Sequence, residues 1–101
     1  MSNLQVAQTI LEQLGGNKFL AMTGAKNCLG GEDMLSFKLP SNFARYGINY
    51  VRVTLTPMDD YTVEFMKVRG MNVKEVAKYD GIYCDGLKDL FEEQTGLYTH
   101  L

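Results

Sequence analysis

Apolar and polar positions alternate with a period of two along residues 49–56 and again along 61–68, the mark of half-buried strands. Val51, Val53 and Leu55 share one face of the first segment. Tyr61, Val63 and Phe65 share one face of the second. Pro57, Met58, Asp59 and Asp60 join them as a tight turn. Bringing both apolar rows to one side sets Thr54 opposite Thr62 and Arg52 opposite Glu64. A slip by one residue would turn a whole apolar row to the other face, so this register is strongly specified. An opposite-charge cross-strand pair contributes roughly 0.2–1 kcal/mol, which gives Arg52 and Glu64 a structural role.

The same patterning organises the rest of the chain. Leu4, Ala7, Leu11 and Leu14, widened by Ile10, recur at helical spacing. Ser2 and Gln5 form a capping box ahead of them, and Gly15-Gly16 supplies a stop, so a helix is expected over 3–14. Residues 18–23 are expected as a strand, followed by a Gly- and Asn-rich loop over 24–33. Leu35, Phe37 and Leu39 point inward from a strand over 34–39 that Pro40 closes. A loop or one helical turn over 41–48 precedes the hairpin. Gly70 breaks the hairpin's second arm, and residues 73–79 carry a weaker strand pattern. Asp85 suits the N-cap of a last helix whose apolar face is Leu87, Leu90 and Phe91. Gly96 and Leu97 fit its C-terminal stop.

Short connections favour an antiparallel meander, because parallel strands need long crossovers. The expected fold is therefore α+β: an antiparallel four- to five-stranded sheet with an N-terminal and a C-terminal helix on one face, as a single domain over 1–101. The other face would carry Met34, Ser36, Lys38, Tyr50, Arg52, Thr54, Thr62, Glu64 and Met66.

The chain has 101 residues, nearly half of them apolar, with no Trp, enough for one core without staples. No apolar run approaches the roughly 20 residues of a membrane span, and no secretory leader is read at the start. A cytoplasmic setting is expected, with Cys28 and Cys84 as free thiols. Net charge is −2, and its distribution is uneven: residues 18–78 hold nine of the ten basic residues, whereas 79–101 hold five acidic residues and only Lys88.

Chemistry-bearing constellations are sparse. The one histidine, His100, stands beside the last residue, a poor place for a rigid triad member. Two distant cysteines do not make a zinc site. Glu32-Asp33 and Asp59-Asp60 lack the spacing of a calcium loop and read as turn residues. Thr23-Gly24-Ala25-Lys26-Asn27 fails the phosphate-loop pattern. No enzyme, metal or cofactor is expected.

What remains is binding. Tyr, Met and Arg are enriched at protein interfaces, which marks Tyr50, Arg52 and Met66 on the outer sheet face, with the 24–33 loop beside it. A host or phage protein, or a second copy of the chain as a homodimer, would dock there. The alternative is a single-stranded nucleic acid, because such binders combine cations with stacking aromatics. Tyr50, Arg52, Lys38 and Lys26 offer both. A double-stranded RNA fits poorly, since Asp85, Asp89, Glu92 and Glu93 would repel phosphates from the last helix.

Residues 14–19 (Leu-Gly-Gly-Asn-Lys-Phe), 22–27 (Met-Thr-Gly-Ala-Lys-Asn), 35–37, 49–55 and 95–99 (Thr-Gly-Leu-Tyr-Thr) resemble a family of small uncharacterised proteins from bacterial phages and mobile elements. The resemblance spans nearly the whole chain. It implies an accessory protein that inhibits or regulates a host system, and it brings no site residues.

Overall fold

The computed structural model describes residues 4–40 and 45–97. Helix α1 (Leu4–Leu14) buries Ala7, Ile10 and Leu14 along one stripe, at the three- and four-residue spacing of a helix face. Ser2, its expected cap, lies outside the described residues. At Gly15 the backbone turns with φ 131°, and a second helix, α2 (Gly16–Thr23), follows at once.

Helix α2 corrects the strand expected over 18–23, and the reason lies at its end. The Thr23 hydroxyl donates to the Phe19 carbonyl at 2.8 Å. Gly24 adopts the left-handed conformation and sends its N–H to the Leu20 carbonyl. The Ala25 N–H then donates to Thr23 Oγ1 at 3.2 Å. The last helix, α3 (Cys84–Thr95), ends in the same way, with Thr95 donating to Phe91, Gly96 left-handed and Leu97 donating to Thr95 Oγ1. The pattern Phe-x-x-x-Thr-Gly stands at 19–24 and at 91–96. Read as a helix stop in one place, it carries the same meaning in the other. The two phenylalanines meet edge to face at 5.1 Å, and Phe37 joins them at 5.3 and 6.0 Å. Such pairs add about 0.5–1.5 kcal/mol each beyond the burial of their area.

Five strands form one antiparallel meander: β1 (Lys26–Gly30), β2 (Met34–Lys38), β3 (Tyr50–Leu55), β4 (Tyr61–Arg69) and β5 (Asn72–Ile82). Thr54 faces Thr62 and Arg52 faces Glu64, as the apolar rows require. Strand β1 replaces the middle half of the loop expected over 24–33. It is an edge strand whose described side chains are exposed, so it buries no alternating row that would betray it. Strand β5 is longer than the expected 73–79, because two register shifts against β4 interrupt its alternation. A 3-10 turn (Arg45–Gly47) precedes β3. Tyr83, rather than Asp85, occupies the N-cap of α3, and Asp85 lies in its first turn, where a carboxylate still suits the helix dipole.

The architecture is thus α+β, with the helices on the face bearing Leu35, Phe37, Val51, Val53, Val63 and Phe65. Burial of each such side chain is worth about 1.5–3 kcal/mol. The Tyr61 hydroxyl donates to Gln13 Oε1 at 2.7 Å and ties β4 to α1. Among the described residues no helix is long and apolar enough to cross a membrane.

Candidate anion-binding cleft at the basic end of the sheet

At the centre of the outer sheet face the expected Arg52–Glu64 pair forms, whereas two residues expected to be exposed there are buried. Arg52 Nε donates to Glu64 Oε1 at 2.9 Å. That bond outweighs partial burial and raises the guanidinium pKa above its ordinary value, so Arg52 is charged and already engaged. Ser36 and Met66, expected as exposed, are buried at 1% and 5% exposure. The register explains both. Ser36 stands between Leu29 and Arg52, and Met66 between Tyr50 and Glu75, so longer neighbours shield them on either side. Met66 is therefore a packing residue and presents no docking surface.

The other three predicted residues converge. Lys26 opens β1, Lys38 closes β2 and Tyr50 opens β3, and the register sets them side by side in one cross-strand row. Lys26 thus belongs to a strand and not to a loop. All three line a half-open cleft of about 390 Å³, together with Pro40, Asn49 and Val68. Gly24 lets Pro40 approach, since a Cβ there would lie 2.9 Å from Pro40 Cγ. Asn49 fixes the far wall. Its amide Nδ2 donates to the Val68 carbonyl at 2.9 Å, and its Oδ1 accepts from the Val68 N–H at 2.8 Å. The side chain thereby continues the β3–β4 ladder one step past its backbone end.

Lys26 lies directly opposite Lys38. Like charges in that relation destabilise an antiparallel pair, and neither lysine makes an ion pair among the described residues. The arrangement costs the fold stability unless an anion fills the space between the two heads.

Charge is unevenly spread along the strands. Lys26, Lys38, Lys67, Arg69 and Lys74 gather at the cleft end with one carboxylate, Glu75, among them, whereas Glu32, Asp33, Asp59, Asp60 and Asp80 gather at the opposite end. Tallies in chain order hide this, because a meander sends successive turns to alternate ends. The acidic turn at 56–60 is held by local bonds, with the Asp59 N–H on the Thr56 carbonyl and the Thr56 hydroxyl on the Asp60 carboxylate, as turn chemistry predicts. Among the described residues no group of three or more side chains is placed to hold a metal ion. Cys28 and Cys84 are free and exposed.

Sequence reasoning missed Asn49, Lys67, Arg69 and Lys74. The last three had a readable signal, since a turn at Gly70 within a longer hairpin sets Lys67 opposite Lys74. Comparison with protein-family models, curated proteins and solved structures finds no match for this chain.

Proposed function

We propose that this protein is a non-catalytic binding module that takes up a single-stranded nucleic acid at the basic end of its sheet. The observation that carries the reading is the cross-strand row of Lys26, Lys38 and Tyr50 on one cleft. Two opposed ammonium groups suit a bridging phosphate, and a neighbouring aromatic ring suits a base, the two elements of single-strand binding. Among the described residues the cleft lining includes no carboxylate, so none of these residues repels a phosphate. As an accessory protein of a phage or mobile element, which the family resemblance implies, it would act in the cytoplasm of a bacterial host.

A protein partner is the second reading. Its outer-face site is weakened because Met66 is buried and Arg52 is spent on Glu64. What favours it is the basic end itself, where Tyr46, Met71 and Val73 are exposed among the cations. An acidic protein segment would meet both features.

Fluorescence anisotropy with labelled single-stranded DNA and RNA at low and physiological salt tests the proposal. Binding that weakens as salt rises, and that Lys26→Ala with Lys38→Ala removes, is expected. No binding at low salt by folded protein overturns it. Binding of polyglutamate without oligonucleotide binding favours the acidic-protein reading.

A further inference from the structure

We infer that the helix-side surface of the β4–β5 ribbon is a second binding surface for the same single strand, which runs from the cleft around the end of the sheet; this rests on the nucleic-acid reading above. Beyond the Tyr50–Met66 pair, β4 and β5 outrun the other strands as a two-stranded ribbon. There Lys67 stands directly opposite Lys74. This is a second like-charge cross-strand pair at the same end of the molecule, and it too has no ion-pair partner among the described residues. One such pair is an oddity, whereas two at one end are a pattern that a polyanion explains.

The two pairs lie on opposite faces. Lys67 is two residues beyond Phe65, which points into the core, so the two-residue repeat puts Lys67 and its partner on the helix side. Arg69, two residues further, follows on that side. Lys38 shares the outer face with Tyr50.

Each pair also has a tyrosine. Tyr50 accompanies Lys26 and Lys38. Beside Lys67 the backbone of Gly47 comes close enough that a Cβ there would lie 3.1 Å from Lys67 Cε, and the preceding residue is Tyr46. Tyr46 is 71% exposed and holds φ 60° and ψ 16°. A bulky residue in the left-handed region is a genuine outlier, and such outliers concentrate at ligand-binding sites. An exposed tyrosine one residue from the backbone that Lys67 packs against offers the same pairing of residue types as the cleft. Between the two surfaces the ribbon presents Val68 and Val73, with Met71 fully exposed at its tip, an apolar edge over which unstacked bases can pass.

The test compares oligothymidines of roughly 4 and roughly 16 nucleotides, the range of site sizes for small single-strand binding folds. The wild-type protein should bind the long strand more tightly than the short one. Lys67→Ala with Lys74→Ala should leave the short strand's affinity unchanged and remove the long strand's advantage. The salt slope for the long strand should fall by about 0.7 for each phosphate that the variant no longer neutralises. Tyr46→Gly should raise the thermal midpoint, by relieving the backbone, while weakening only the long strand. Tyr46→Phe should behave as wild type. Wild-type affinity for the long strand in the double alanine variant would overturn the second surface while leaving the cleft intact. No binding of either strand by the wild-type protein would overturn both readings together.

Discussion

Replacing Lys38 by Glu should make the protein more stable and a worse binder. Lys38 faces Lys26 across β1 and β2, so the substitution removes a repulsive pair and installs an attractive one. Each of these cross-strand terms is about 0.2–1 kcal/mol. Both side chains are exposed, which places the gain at the low end, near 0.5 kcal/mol. For a domain of this size about 1 kcal/mol moves the melting midpoint by roughly 4–8 °C, so a rise of about 2–4 °C is expected at low salt. The gain is electrostatic, and the screening length shrinks to about 3 Å in 1 M salt, so the difference should nearly vanish there. Circular dichroism melts of both proteins at the two salt concentrations measure the effect, with anisotropy titrations run in parallel. A scaffold residue would lose stability on substitution, whereas a residue kept for a ligand gives up stability in the free protein. If Lys38→Glu melts below the wild-type protein at low salt, or binds oligonucleotide undiminished, the reasoning from the opposed lysines is wrong.

Three other perturbations probe the core, the ribbon and the buried tyrosine. Phe19→Ala should cost about 3–5 kcal/mol in denaturant unfolding, because Phe19 is fully buried against Phe37 and Phe91; a cost under about 1 kcal/mol would place it outside the core. Asn49→Ala removes two hydrogen bonds to Val68, each worth about 0.5–1.5 kcal/mol, and hydrogen exchange should show weaker protection at Val68 and along the ribbon, with α3 unchanged. Burial raises the Tyr61 phenol above its ordinary value. An unfolded tyrosine ionises near pH 10 while the folded one keeps its proton, so the contribution is complete below about pH 10 and is lost as pH rises through the folded value. Tyr61→Phe should flatten that alkaline decline in melting midpoint, and an unchanged decline would assign it to another group.

The sequence revealed elements whose periodicity coincided with burial and concealed those where it did not. Strands β3 and β4 each present a complete apolar row to the helices, so their register followed from pattern alone. Helix α2 has eight residues, too short to display helical periodicity, and only its Thr-Gly stop distinguishes it from a strand. Strand β1 is an exposed edge. The candidate site was legible in part for the same reason. Tyr50 and Lys38 flank strands whose faces were assigned, so their juxtaposition could be anticipated, as could the Arg52–Glu64 pair that removes Arg52 from the site. Burial of Met66 and Ser36 depends on neighbours two strands apart. The gathering of cations at one end depends on the meander order, and neither is visible in a linear tally.

The central claim is that the basic sheet end is where a ligand sits, and its most direct test is a ¹H–¹⁵N NMR titration of the full chain with single-stranded oligothymidine at low salt. Shifts should concentrate at Lys26, Lys38, Asn49, Tyr50 and residues 67–74, with Arg52, Glu64 and the acidic turns at 31–33 and 56–60 unmoved. Shifts centred on Arg52 and Glu64 or on the acidic turns, or no shifts at all, would contradict it.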